Sequence, residues 1–260
     1  MRRSVMALTA VALVMGAAAG ILVVAGRGRR PLVVSSETTT TTAATTTTTA
    51  ATTATTATAP STGPTTTAPA PPAGLRTGAT GPEVTRLQQR LAGLGFWLGA
   101  ADGVFSAVTA HAVVAFQKLA GLPPDGIVGP DTSAALEAAG PPRPRSSAGH
   151  ELEIDLTHQV LIVADGGAAT AVLDVSTGRV AGTTPTGRFT VTRQVDGYDH
   201  SPLGVLYRPK YFYRGVAVHG YPSVPPTPAS HGCVRTIDAA MDWLWSSGAA
   251  PIGTAVWVYR

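Results

Sequence analysis

Cys233 is the only cysteine of the 260-residue chain, and it lies in Ser230-His231-Gly232-Cys233-Val234-Arg235. Upstream, Val216-Ala217-Val218 runs into His219-Gly220, and a Pro-containing loop from Tyr221 to Ala229 joins the two segments. A thiol is a strong nucleophile only as thiolate. A neighbouring imidazole can take its proton, and the start of a helix can favour the anion. Gly232 lets backbone approach a substrate closely, and the N–H groups of Gly232 and Cys233 offer an oxyanion site. Residues of these types together in a Gly-flanked loop point to catalysis with Cys233 as its reactive group. A single cysteine excludes an internal disulfide, and an unpaired one in an exported chain is either buried and inert or kept for its reactivity. Two other readings use the same residues. One is a small buried cysteine among ordinary polar histidines. The other is zinc held by His219, His231 and Cys233, which supplies too few ligands at too close a spacing. Neither a metal nor a cofactor is expected.

Strands must position this group. Leu152, Ile154 and Leu156 alternate with Glu151, Glu153 and Asp155, which is strand periodicity with one wet face. Gln159 to Ala164 predicts a second strand, and Asp165-Gly166-Gly167 a hairpin. Ala171 to Val175, Arg188 to Val191, Gly215 to Val218 and Thr254 to Tyr259 continue the series. One helix is predicted from Ile237 to about Ser247. Tyr198, Tyr207, Tyr211 and Tyr213 are expected in aromatic core, with the cleft wall as the alternative.

A different pattern precedes it. Val84, Leu87, Leu91 and Leu94 recur at helical spacing, with Pro82 near the start and Gly95 as a stop. A second helix is predicted over Ala107 to Ala120 and a short third one after Pro130. Asp102-Gly103-Val104-Phe105 with Thr109 is echoed by Asp125-Gly126-Ile127-Val128 with Thr132. Each copy reads as an Asp-Gly turn followed by a helix start. With no acidic cluster and no cysteine, this unit reads as a binding module.

The N-terminal part is different again. Val5 to Gly26 is uncharged and would span roughly 33 Å as a helix, enough for a hydrocarbon core. It reads as a signal anchor or a cleaved signal peptide. Thr38 to Gly74 holds only Thr, Ala, Pro, Gly and one Ser, too little apolar surface to offset the entropy of ordering it. The net charge is +4 with only 13% charged residues, and lysine occurs only at Lys118 and Lys210. Arg27, Arg29 and Arg30 flank the apolar run. No basic stripe with interleaved aromatics exists, so a nucleic-acid partner is excluded.

The expected organisation is therefore a basic segment at 1–4, a transmembrane signal anchor at 5–26, a disordered linker at 27–74, a helical module at 75–140, a joint at 141–150 and a catalytic domain at 151–260. The helical segment resembles the peptidoglycan-binding domain 1 family. It does so through Leu75-Arg76-Thr77-Gly78, Leu87-Gln88, Asp102-Gly103-Val104-Phe105, Phe116-Gln117 and Asp125-Gly126-Ile127-Val128-Gly129-Pro130, with Ser106 where that family usually has Gly. The C-terminal segment resembles the L,D-transpeptidase catalytic domain family, of YkuD type. The matching residues are His219-Gly220, Ser230-His231-Gly232-Cys233, Ser176-Thr177-Gly178 and Thr184-Pro185-Thr186-Gly187.

These resemblances imply a three-helix wall-binding unit beside a mostly-β catalytic domain, a β-sandwich. They imply that Cys233 is the nucleophile, His219 the general base and Gly220 the carbonyl that orients the base. His231 and Gly232 would shape the oxyanion site, and Ser230 and Arg235 would touch substrate. The donor and acceptor would be peptidoglycan stem peptides, with D-Ala released and a cross-link formed. Hydrolysis by the same acyl-enzyme, and a non-catalytic wall-binding role, are the alternatives. The implied location is extracytoplasmic, in the cell envelope. The helical module would hold the cell wall, and the N-terminal helix the membrane.

Overall fold

The computed structural model describes residues 74–202 and 204–260. The basic segment at 1–4, the anchor expected at 5–26 and the linker up to residue 73 lie outside the described residues. Among the described residues no helix is long and apolar enough to cross a membrane. That finding corrects the transmembrane assignment, and with it the expected membrane partner.

The described chain holds four helices and two mixed five-stranded sheets, consistent with a helical module beside a β-sandwich. Helices α1 (Pro82–Gly93), α2 (Ala107–Ala120) and α3 (Pro130–Ala138) form the module. Val84, Leu87 and Leu91 of α1 meet Ala112, Val113 and Phe116 of α2 in one buried core. Ser106 caps α2: its hydroxyl accepts the Thr109 N–H at 3.4 Å. A serine at a helix N-cap satisfies a donor that glycine would leave open.

The repeated Asp-Gly turn has a physical cause that spacing alone does not reveal. Buried Gln88 donates from Nε2 to Asp102 Oδ1 at 2.9 Å and to the Val104 carbonyl at 3.1 Å, and its Oε1 accepts the Gly103 N–H at 2.8 Å. Gln117 repeats the arrangement with Asp125 at 2.8 Å, the Ile127 carbonyl at 2.9 Å and the Gly126 N–H at 2.9 Å. Each helix thus secures the turn that follows it. Gln88→Leu keeps the volume but strands the buried Gly103 N–H and removes the bonds to Asp102 and the Val104 carbonyl. It is expected to cost about 3 kcal/mol, read as a fall in melting temperature.

The first sheet runs in the order β3-β2-β1-β10-β4. Its strands are β1 (His150–Asp155), β2 (Val160–Asp165), β3 (Ala168–Asp174), β4 (Gly187–Thr190) and β10 (Ala255–Tyr259). The second holds β5 (Arg193–Gln194), β6 (Tyr198–Ser201), β7 (Gly204–Tyr213), β8 (Val216–Gly220) and β9 (Val234–Thr236), with β7 paired to β5, β6 and β8. Leu152, Ile154, Leu173 and Val256 of the first sheet share one core with Phe212, Val218 and Val234 of the second. Met241 and Leu244 of α4 (Asp238–Ser246) close that core.

The module and the first sheet are in direct contact. Val172 of edge strand β3 donates to the Gly95 carbonyl at 2.8 Å and accepts from Trp97 N–H at 3.1 Å. The module thereby pairs the Val172 N–H and carbonyl of that edge, which would otherwise be free to pair with another chain. Val160, Ile162 and Val172 project into the module's own core.

Candidate active site

Strand β8 ends at His219-Gly220, and parallel strand β9 begins one residue after Cys233. The register pairs His219 with Arg235 and Val218 with Val234. This pairing sets the imidazole and the thiol on one cavity of about 400 Å³. Val205, Leu206 and Val216 give it apolar walls, and no acidic side chain lines it among the described residues.

His219 is 4% exposed. Its Nδ1 lies 2.8 Å from the Gly220 carbonyl oxygen. A carbonyl only accepts, so Nδ1 carries the proton and Nε2 is the basic nitrogen. Burial holds the imidazole down at about 4, against the bond to Gly220. Burial pushes the Cys233 thiol up, and the Ala217 amide opposes this by hydrogen bonding to sulfur. The resting pair is therefore neutral thiol and neutral imidazole. Sγ donates weakly to the Gly215 carbonyl at 3.7 Å.

The loop around Cys233 is braced from inside. Ser230 Oγ donates to the Cys233 carbonyl at 2.5 Å and accepts the Gly232 N–H at 3.0 Å. The Gly232 carbonyl accepts from Thr184 Oγ1 at 2.7 Å. Ser230 borders the cavity, and its hydroxyl bonds within the loop. The Gly232 N–H, expected at the oxyanion, is engaged by that same hydroxyl. Gly232 has φ +150°, and a Cβ there would sit 2.7 Å from the Thr183 carbonyl oxygen. Gly232→Ala must displace the loop, and a displacement of about 1 Å costs about 10²-fold. That loss is expected in the rate of acylation of Cys233.

The remaining expected residues divide. Arg235 lines the cavity with its guanidinium 4.0 Å from the Tyr221 ring centroid. Its Nε is buried without a hydrogen-bond partner. His231 is exposed at the rim, where its Nε2 accepts from Arg179 Nη2 at 3.3 Å. The start of a helix does not serve Cys233: β9 intervenes, and α4 begins only at Asp238. Of the four tyrosines, Tyr211 lines the cavity, Tyr207 and Tyr213 pack against core, and Tyr198 is exposed.

Spacing does not reveal the cavity wall Leu206 or the clamp by Thr184, and it places Tyr211 at the wall only as the alternative to core. The Thr-Pro-Thr-Gly and Ser-Thr-Gly matches were the available signal for the clamp. In the structure both segments bind the loop that carries Cys233. Among the described residues no group of three or more His, Cys, Asp or Glu is placed to hold a metal ion.

The chain is similar to known proteins over both of its parts. The family described as a peptidoglycan binding domain matches residues 80–136. The family described as the L,D-transpeptidase catalytic domain matches residues 149–258. A crystal structure of the L,D-transpeptidase (residues 123–326) from Xylanimonas cellulosilytica is 48% identical, with a TM-score of 0.69. The match covers 74% of the present chain and 100% of that one. A probable N-acetylmuramoyl-L-alanine amidase of Bacillus licheniformis is 49% identical over 67 residues, which are 25% of this chain and 19% of that protein. The amidase CwlL of the same organism is 45% identical over 75 residues, 28% of this chain and 21% of that protein. The chain thus spans about a fifth of the length of these curated relatives.

Proposed function

The chain belongs to the L,D-transpeptidase catalytic domain family and carries a peptidoglycan-binding module, and from that premise we propose that it cross-links peptidoglycan stem peptides through a thioester on Cys233. The observation that carries this is the cavity itself. It holds one thiol, and of its two imidazoles the buried one, His219, has its tautomer fixed with Nε2 as base.

The steps follow from the protonation states. Nε2 of His219 takes the thiol proton as Sγ attacks the carbonyl of the donor's diamino acid. The Cys233 N–H, and the Gly232 N–H once released from Ser230 Oγ, would donate to the oxyanion. The C–N bond to D-Ala breaks, the His219 proton passes to the leaving amine, and the thioester remains. An amine of a second stem attacks the thioester and gives its proton to Nε2. The sulfur then leaves as the amide forms and is reprotonated by His219.

Arg235 suits the terminal carboxylate of the leaving D-Ala. It is the cavity's guanidinium, and no lining side chain offers it a carboxylate. Val205, Leu206 and Val216 suit the alkyl part of the stem. The helical module would keep the site at the wall, in the cell envelope.

The test is product analysis with purified tetrapeptide stems. Cross-linked dimer together with released D-Ala is the expected outcome. Trimmed stems without dimer would show hydrolysis instead, and unaltered stems would sink the enzymatic reading.

A further inference from the structure

One of the chain's two lysines, Lys118 of α2, is buried in the seam between the helical module and the first sheet. Its Nζ lies 2.5 Å from Asp174 Oδ1, 3.0 Å from the Gln159 carbonyl and 2.9 Å from the Val175 carbonyl. An ammonium has three protons, and all three are used. The side chains of Lys118 and Asp174 are 4% and 1% exposed. The other carboxylate oxygen of Asp174 is 2.6 Å from Nδ1 of His111, also on α2. A buried pair of this kind is poor evidence for stability alone, because desolvation offsets much of the attraction. What it holds is therefore the informative feature.

The segment gripped by Lys118 is the one that binds the nucleophile loop at both ends. The Asp174 carbonyl accepts from Thr236 Oγ1 at 3.0 Å. Ser176 and Arg235 exchange backbone hydrogen bonds at 2.9 Å each. The Thr177 carbonyl accepts the N–H groups of Ala229 and Ser230, both at 2.9 Å. Gln159, whose carbonyl Lys118 binds, receives the Thr177 N–H on Oε1 and donates Nε2 to Thr177 Oγ1, both at 2.8 Å. Gln159 itself has φ +55°, a left-handed conformation that a non-glycine residue keeps only when its surroundings demand it. The links from Lys118 to the loop that carries Cys233 are continuous.

We propose that Lys118 is a positioning residue for the acyl-transfer centre. By tying Gln159, Asp174 and Val175 to one point, it fixes the 174–178 segment and through it the Cys233 loop. The helical module then completes the catalytic fold as well as holding the wall. This rests on the thiol chemistry proposed above.

Two variants of the full chain test it. Lys118→Met removes the donor but strands the Asp174 charge, so lost stability could mask the effect. Lys118→Met/Asp174→Asn removes that stranded charge and keeps a hydrogen-bonding group for His111. The readout is acylation of Cys233 by a carbapenem, followed by intact mass below the melting temperature. The saturating rate, the half-saturating concentration and the pH profile are measured for each protein. The double variant is expected to be slower by about tenfold at saturation, with an unchanged half-saturating concentration and a displaced pH profile. Lys118→Arg, which keeps a cation and donors, is expected to recover part of the rate. A double variant that reacts at the wild-type rate with the wild-type profile overturns the positioning role and leaves the thiol chemistry standing. A wild-type protein that is not acylated overturns both.

Discussion

Cys233→Ala is expected to lower acyl transfer by at least about 10⁴-fold while the protein remains folded. The hydroxyls of Ser230 and Tyr211, which border the cavity, cannot take over. The Ser230 hydroxyl is engaged with the Cys233 carbonyl. The Tyr211 hydroxyl donates to Asp199 Oδ2 at 2.8 Å, and burial with that bond pushes it up to about 12. Cys233→Ser should be equally inactive, because an alcohol resists ionisation far more than a thiol. The cost to stability is small: Cys233 is half-buried against Leu206, Tyr211 and Ala217, and losing one sulfur there costs about 1 kcal/mol. Cross-linking and melting temperature, measured on the same preparation, separate the two effects.

His219→Gln is expected to slow acylation by about 10³-fold. The reason lies in the resting protonation states. Burial lifts the thiol above its usual value, so little thiolate exists at neutral pH and a base must remove the proton during attack. With His219 held at about 4, the acid limb of the wild-type rate should lie near pH 4 and not near the ordinary histidine value. Without His219 the rate should follow the spontaneous thiolate population and rise about tenfold per pH unit through neutrality.

The same burial makes a stability statement. The folded-state value lies below the unfolded one, so the unfolded chain binds the proton more readily. The contribution of His219 is complete above about pH 6.5 and is lost as pH falls towards about 4, at most about 3 kcal/mol. The pH dependence of the melting temperature over that window should flatten in His219→Gln.

Much of the fold was legible where periodicity was clean. α2 runs over the residues that apolar spacing marks, Ala107–Ala120. β1, β2 and β10 follow unbroken alternation or apolar runs. β7 was not legible. It carries Arg208, Pro209 and Lys210 in its middle, and a bulge with Arg208 at φ +46° breaks the alternation there. Its partners β5 and β6 are two and four residues long, too short to show a period. β9 was hidden for another reason: it is three residues long and parallel to β8, a non-local pairing that no local pattern records.

The site divides in the same way. The thiol, the imidazole and the loop between them follow from residue type and spacing. The cavity wall does so only in part: Tyr211 is foreseen there as an alternative to core, and Leu206 arrives unforeseen on a strand that spacing does not show. The Lys118–Asp174 pair is equally unreadable from the chain alone. Its members lie 56 positions apart, and each resembles an ordinary charged residue.

The central claim is that Cys233 accepts the acyl group first, and intact mass after incubation with a carbapenem tests it most directly. The strained β-lactam carbonyl offers an acyl donor that leaves its whole mass on the attacking sulfur. One adduct per chain is predicted, mapped to the peptide containing Cys233 and missing from Cys233→Ala. An unmodified wild-type protein, or an adduct that survives in Cys233→Ala, would contradict it.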